Sequence, residues 1–161
     1  MKRPILTHNV SPTALVIVFA ATLITSMAAT AQNGNSCSFV RAAGTYGTSD
    51  SGTVVGIGPR AADAMLTLDK AGNFSGPATV SLNGSVTHST ASGTYTVNRD
   101  CTGSASFSEF DQSGNLLLTA TADFFWVNNM RELLFIFTSA TLADGTSLAL
   151  VVNGNAKKLV P

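Results

Sequence analysis

Residues able to do acid–base or nucleophilic chemistry are few after residue 31, and none of them sits in a recognisable catalytic motif. His88 is the only histidine in that part, and it lies in the polar run Ser85-Val86-Thr87-His88-Ser89-Thr90. A Ser-His-Asp mechanism needs a histidine base beside an activated serine, and no nucleophile elbow surrounds this run. We therefore interpret His88 as a surface residue and predict no catalytic residues.

Turns explain three of the nine acidic residues. Asp69 and Asp111 begin two copies of a D-x-x-G-N loop, in which the aspartate accepts from a backbone amide two residues on and the glycine supplies a positive φ. Asp144 begins an Asp-Gly turn. These loops lack the spaced carboxylates of a calcium site, and the cysteines and histidines are too few for a structural zinc site. We predict no metal and no cofactor.

Among the acidic residues without a turn role, Glu109 is the strongest candidate for a function. It shares a strand face with Ala105 and Phe107, so it points inward if they do. We favour the alternative that this end of the strand already lies in water. With Asp111 it could form the carboxylate pair of a glycosidase, but the turn role of Asp111 is explanation enough.

The chain has two cysteines, Cys37 and Cys101. In an oxidising compartment an even number suggests one disulfide. It would close a loop of about 64 residues and contribute roughly 4 kcal/mol in the chain-entropy model. Two free thiols are the alternative.

The N-terminal residues have the pattern of a secretory signal. Lys2 and Arg3 precede an apolar stretch over residues 14–24, and Ala29-Thr30-Ala31 matches the small-x-small cleavage pattern. We predict cleavage between Ala31 and Gln32, export to the periplasm or beyond the cell, and no stable membrane insertion afterwards. The predicted domains are a signal peptide, 1–31, and a single folded domain, 32–161. An uncleaved anchor is the alternative.

The composition of residues 32–161 limits the kinds of protein and of binding partner that this domain can represent. About 130 residues are enough for one domain with a buried core. Without Lys2 and Arg3, seven basic residues face nine acidic ones, for a net charge of about −2. Nucleic-acid binding, which needs clustered basic residues, therefore has no support.

Regular turn signals divide the mature chain into about eight short segments. Asn-Gly and Asp-Gly pairs between alternating runs are typical of β-hairpins. Residues 74–82 and 116–127 alternate with period two, while 133–137 and 148–152 are apolar on both faces. Nothing sustains helical periodicity, and residues 60–65 make at most one helical turn.

The first mature residues allow two interpretations. We predict a strand over residues 39–47, followed by a loose Gly- and Ser-rich stretch over 48–59. That stretch would be either a lid across one end of the fold or a disordered connection. We favour an ordered, mobile loop, because Val54, Val55 and Ile57 need somewhere to pack.

Consecutive hairpins without long crossovers predict an all-β fold, an antiparallel up-and-down meander of about eight strands closing into a small barrel. Closure removes the exposed strand edges that promote aggregation. An interior of this size is either filled by side chains or holds one small ligand. A two-sheet β-sandwich is the alternative.

Two motifs carry a resemblance to a known group. The run Gly93-Thr94-Tyr95-Thr96-Val97-Asn98, continued by Asp100-Cys101-Thr102-Gly103, follows a hairpin with Asp69, Gly72 and Gly76. This pattern resembles a group of small exported bacterial proteins, similar in plan to calycin-like and allene-oxide-cyclase-like barrels. The resemblance covers most of residues 42–155 and implies an eight-stranded barrel with a lumen. Its motifs are turn and strand motifs, so it transfers no catalytic residues.

Three functions remain open from the sequence. The first is a binding module for a small apolar molecule in the barrel lumen or mouth. The second is an envelope protein acting through its outer surface, and the third is a cyclase or isomerase that steers its substrate by shape. The candidate ligand-lining residues are Tyr95, Phe107, Glu109, Phe124, Trp126, Phe135 and Phe137.

Overall fold

The computed structural model describes residues 36–159 and shows a closed antiparallel barrel of eight strands in sequential order. Each strand pairs with the next, and the last pairs with the first. The predicted eight-stranded meander is confirmed, and the sandwich alternative is wrong. The predicted signal peptide and its cleavage site at Ala31 and Gln32 lie outside the described residues. The strands are β1 (Gly44–Val54), β2 (Gly58–Leu68), β3 (Asn73–Leu82), β4 (Ser85–Tyr95), β5 (Thr102–Phe110), β6 (Leu116–Val127), β7 (Glu132–Leu142) and β8 (Leu150–Lys158).

Alternation along each strand separates the barrel interior from its surface. In β6, Ala120, Ala122, Phe124 and Trp126 are buried, while the residues between them are more exposed. This is the period-two pattern of a strand with one face on a core. Apolar side chains at every second position therefore point into the barrel interior.

The two ends of the barrel differ in what closes them. At one end, which we call the covered end, the chain before β1 folds across the opening as a single helical turn, α1 (Phe39–Ala42). At the other, which we call the polar end, the strands are joined by hairpin turns at residues 55–57, 83–84, 111–115 and 143–149. Both D-x-x-G-N loops form as predicted, one at each end. In each, the aspartate accepts from the backbone amides two and four residues on.

Covalent and polar contacts hold α1 on the covered end. Cys37 and Cys101 form a disulfide, which confirms the predicted pairing. The Phe39 ring packs 5.3 Å from that of Tyr95, centroid to centroid. The Tyr46 hydroxyl donates to the carbonyl of Ala42 at 2.7 Å. Because these contacts join α1 to β1, β4 and the loop before β5, the short helix is part of the core.

A left-handed turn lies beside α1 at the covered end. Asn128, Asn129 and Met130 have φ values of 48°, 56° and 62°, a conformation that costs L-residues free energy. The Arg41 guanidinium donates to the side-chain oxygen of Asn129, and Met130 is buried. These tertiary contacts keep the turn in its strained conformation.

Two predictions for the first mature residues are wrong. Residues 39–42 form α1 instead of a strand, because the disulfide draws this segment across the barrel end. The expected mobile loop or lid over 48–59 is the second half of β1, a three-residue turn and the start of β2. Small and polar residues make this stretch look like a loop, but β1 pairs with β2 on one side and β8 on the other.

Residues 60–65, expected to make at most one helical turn, lie within β2. Among residues 36–159, no helix is long and apolar enough to cross a membrane.

Candidate ligand-binding cavity in the barrel interior

The barrel interior is partly hollow. The cavity has a volume of about 120 Å³. For comparison, an apolar cavity of about 150 Å³ engineered into another protein binds benzene. All seven residues proposed from the sequence as ligand-lining, Tyr95, Phe107, Glu109, Phe124, Trp126, Phe135 and Phe137, lie in its wall. Whether they bind a ligand is taken up below as a proposal.

Aromatic rings form two chains of contacts along the wall. Phe107 and Phe137 lie 5.7 Å apart, and Phe135 follows 5.9 Å from Phe137. Trp126 lies 5.7 Å from Phe124 and 5.8 Å from Tyr46. These tilted and edge-to-face contacts are the geometry that aromatic pairs favour. The rings thus hold one another in place around the cavity.

Three of these rings lie opposite a glycine on the neighbouring strand. The register pairs Gly93 with Phe107, Gly103 with Phe124, and Gly154 with Phe135. A Cβ atom on Gly154 would lie 2.6 Å from Cζ of Phe135, so the glycine is needed for the ring to lie flat there. Glycine–aromatic pairs of this kind fix strand register as well as ring position.

Alanines form much of the remaining apolar wall, together with Leu66, Leu68, Phe74 and Leu133, and leave the space that the rings enclose. Larger side chains at these positions would fill the cavity, because each inward position of a small barrel contributes directly to interior volume. The alanines in the wall are Ala62, Ala64, Ala78, Ala91, Ala105, Ala122 and Ala156.

Three charged side chains enter this apolar wall in the half nearer the polar end. Arg60 of β2 forms an ion pair with Asp50 of β1. Its Nη2 lies 3.9 Å from Oε1 of Glu109 on β5, and its guanidinium carbon lies 5.1 Å from the Phe137 ring centroid. The three side chains are 8–10% exposed. The cavity therefore has one polar cluster in an otherwise apolar surface.

Glu109 does not lie in water, so the interpretation favoured from the sequence is wrong. It is 6% exposed, because β4 continues to Ser85, beyond the residue that pairs with the end of β5. A β-bulge follows it, between Glu109 and Phe110. Burial raises the pKa of Glu109, and the nearby Arg60 partly opposes that shift. Burial likewise lowers the pKa of Arg60.

Asp50 and Arg60 were not among the predicted site residues. Strand alternation in β2 could have identified Arg60 as an inward-facing residue. It lies on the same strand face as Ala62, Ala64, Leu66 and Leu68. Asp50 was hidden in the stretch interpreted as a loop. Once 44–54 is recognised as a strand, the alternation that turns Tyr46 inward also turns Asp50 inward.

His88 lies on the outside of the barrel, whereas the two tyrosines line the cavity. His88 is exposed on the outer face, with Nδ1 3.2 Å from the Thr79 hydroxyl. Burial raises the pKa of Tyr95 to about 12 and that of Tyr46 further. Within residues 36–159 no three His, Cys, Asp or Glu side chains are grouped to hold a metal ion.

Comparison with solved structures places this chain among small β-barrels. A redesigned β-barrel, mFAP1, bound to DFHBI superposes with a TM-score of 0.50 at 15% identity, covering 75% of this chain and 98% of that one. EF1p2_mFAP2b bound to DFHBI superposes with a TM-score of 0.52 at 9% identity, covering 74% of this chain and 95% of that one. An S-type phycobiliprotein lyase, CPES from Guillardia theta, superposes with a TM-score of 0.46 at 8% identity, covering 76% of this chain and 91% of that one. No protein-family model and no curated protein matches the sequence.

Proposed function

We propose that this protein binds a small, mainly apolar molecule inside its barrel. The observation that carries the proposal is the interior cavity, walled by aromatic rings and alanines and containing a single charged cluster. Binding sites for small molecules are typically apolar with a few placed polar groups. The cavity volume indicates a ligand about the size of one ring.

Two solved barrels of similar fold support the general idea, since both were determined bound to DFHBI. At 15% and 9% identity the likeness shows the fold alone. We transfer from it only the principle that such a barrel can enclose a small molecule. DFHBI itself is a reasonable first probe.

The single tryptophan, Trp126, is a built-in reporter, because it is 5% exposed and lines the cavity. We expect toluene to change Trp126 emission saturably in the full mature chain. Ala62→Leu, which places a larger side chain in the wall, should weaken toluene binding at least about tenfold by occupying the same space.

The matched control is Ala61→Leu, one residue earlier on the outer face of the same strand. It should leave toluene binding unchanged. If neither toluene nor DFHBI alters Trp126 emission, or if both leucine variants behave like the original protein, the lumenal binding proposal fails.

We further propose that the barrel works outside the cytoplasm, in an oxidising compartment. The disulfide supports this, since such bonds persist mainly in exported proteins. The signal-like pattern of residues 1–31 points the same way. A calycin-like or allene-oxide-cyclase-like plan, and a cyclase or isomerase activity, stay proposals drawn from the sequence resemblance.

A second candidate function uses the outer surface. Phe125 of β6 is 59% exposed and pairs with Leu134 of β7, which is 45% exposed; Ile136 beside them is 48% exposed. Exposed apolar groups of this kind often mark interaction sites. Light scattering tests this: a strict monomer at high concentration, unchanged by Phe125→Ser, would argue against self-association through this face.

A further inference from the structure

The charged cluster in the cavity leaves one of its two carboxylates poorly compensated. Asp50 forms a direct ion pair with Arg60, whereas Glu109 approaches the guanidinium only to 3.9 Å. Within the part of the chain that the structure describes, no side-chain hydrogen bond to the Glu109 carboxylate is formed. A buried carboxylate without donors is costly, so a ligand group that donates to it would be stabilised.

Arg60 is poorly placed to receive an anion. Asp50 already neutralises its charge, and Glu109 lies on another side of the guanidinium. The Phe137 ring lies 5.1 Å from the guanidinium carbon. A carboxylate ligand would bring a third negative group to one positive group in a water-poor interior, where like charges repel strongly.

The other titratable groups in the wall do not offset Glu109. They are Tyr46 and Tyr95, on β1 and β4 near the covered end. Burial raises the pKa of both, so they are neutral near pH 7. With both carboxyl groups ionised, the cluster carries one negative charge more than Arg60 compensates, and Glu109 is the carboxylate farther from the guanidinium.

We propose that the cavity selects small hydrophobic amines and that Glu109 is the residue that determines this selectivity; the inference rests on the proposed binding function. The ammonium group would donate to the Glu109 carboxylate, a charge-assisted hydrogen bond of the stronger kind. The apolar body would lie against Phe107 and Phe137, whose rings are 5.7 Å apart. Ammonium groups are also attracted to aromatic faces.

The cavity volume determines suitable probes. Benzylamine, benzyl alcohol and benzoate share one ring and differ mainly in the charge of the head group, while toluene has no head group. We expect benzylamine to bind at least about tenfold tighter than benzyl alcohol at neutral pH, because its ammonium group both donates to the Glu109 carboxylate and compensates its charge, whereas the alcohol only donates. Benzoate should bind most weakly, as measured by calorimetry and Trp126 emission.

Glu109→Gln tests the role of the carboxylate directly. It keeps the size of the side chain and removes its charge, so the preference for benzylamine over benzyl alcohol should fall to within about twofold. Toluene binding should stay unchanged, which shows that the cavity remains intact. The matched control is Glu132→Gln, because Glu132 is the only other glutamate of the chain and lies outside the cavity wall.

The outcomes separate this inference from the binding proposal. If toluene binds but benzylamine binds no tighter than benzyl alcohol, or benzoate binds tightest, amine selectivity is overturned and lumenal binding stands. If Glu132→Gln lowers the benzylamine preference as much as Glu109→Gln, the carboxylate acts through overall charge and the assignment to Glu109 is wrong. If none of the four probes binds, both proposals fail.

Discussion

The covered end and the polar end of the barrel use their interior positions differently. At the covered end, Tyr46, Tyr95 and Trp126 are at most 5% exposed, and a disulfide holds α1 across the opening. In the half nearer the polar end, an ion cluster enters the wall. The cavity is lined from both halves; the covered end adds a crosslink, whereas the polar end places an incompletely compensated charge in the wall.

This difference indicates how the molecule separates stability from function. Close-packed aromatic rings and a crosslink stabilise the native state. Buried ion clusters rarely do, because desolvation of the charges offsets their attraction. Under the proposed binding function, the polar cluster next to empty space would serve recognition and not stability.

The largest expected effect comes from breaking the ion cluster. Arg60→Met leaves Asp50 and Glu109 buried without a positive partner, and should lower the free energy of unfolding by about 3–5 kcal/mol. Urea denaturation at neutral pH measures the change. The triple variant Asp50→Leu, Arg60→Met, Glu109→Leu should recover most of that loss, because apolar residues can replace a buried cluster without cost. If the triple variant stays as unstable as Arg60→Met, the cluster is a stabilising element and the comparison above is wrong.

The next effect tests the covered end. Replacing Cys37 and Cys101 with serine should lower the free energy of unfolding by about 2–4 kcal/mol, because the unfolded chain regains the freedom that the bridge removes. The midpoint of urea denaturation gives the value, with the oxidised original protein as reference. An unchanged midpoint would show that the bridge contributes nothing to holding α1 on the barrel.

A smaller effect is expected from a glycine–aromatic pair. A Cβ on Gly103 would lie 2.7 Å from Cζ of Phe124, so Gly103→Ala should destabilise by about 1–3 kcal/mol through crowding. Ser106→Ala, an exposed position on the same strand, should change stability by less than about 0.5 kcal/mol. The change in stability of each variant is measured by thermal unfolding. Equal losses in the two variants would argue against close packing at the covered end.

The last expected effect is a loss of stability at alkaline pH, which is specific to the covered end. Both tyrosines of the chain lie there, and burial raises the pKa of Tyr95 to about 12 and that of Tyr46 further. The tyrosines of the unfolded state therefore ionise first, so their contribution to stability should be constant below pH 10 and be lost as the pH rises toward 12. Near-ultraviolet absorbance follows the ionisation. A tyrosine that titrates near its ordinary value in the folded protein would mean that this end is open to water.

The candidate site could be predicted in part from sequence. Periodicity placed Phe107, Phe124 and Trp126 on inward faces, because strand alternation is a local property of the chain. The role of Glu109 was underestimated, since its burial depends on how far the neighbouring strand extends. Asp50 was missed because its segment has the composition of a loop.

The sequence by itself determined most of the strands, the two D-x-x-G-N turns and the cysteine pair, because turn chemistry and period-two alternation act over a few residues. Only the tertiary structure decided that the barrel keeps a cavity, since interior volume depends on which glycines and alanines meet which rings across strands. It also decided that Asp50, Arg60 and Glu109 meet. They come from β1, β2 and β5, and only closure of the sheet brings these strands around one interior.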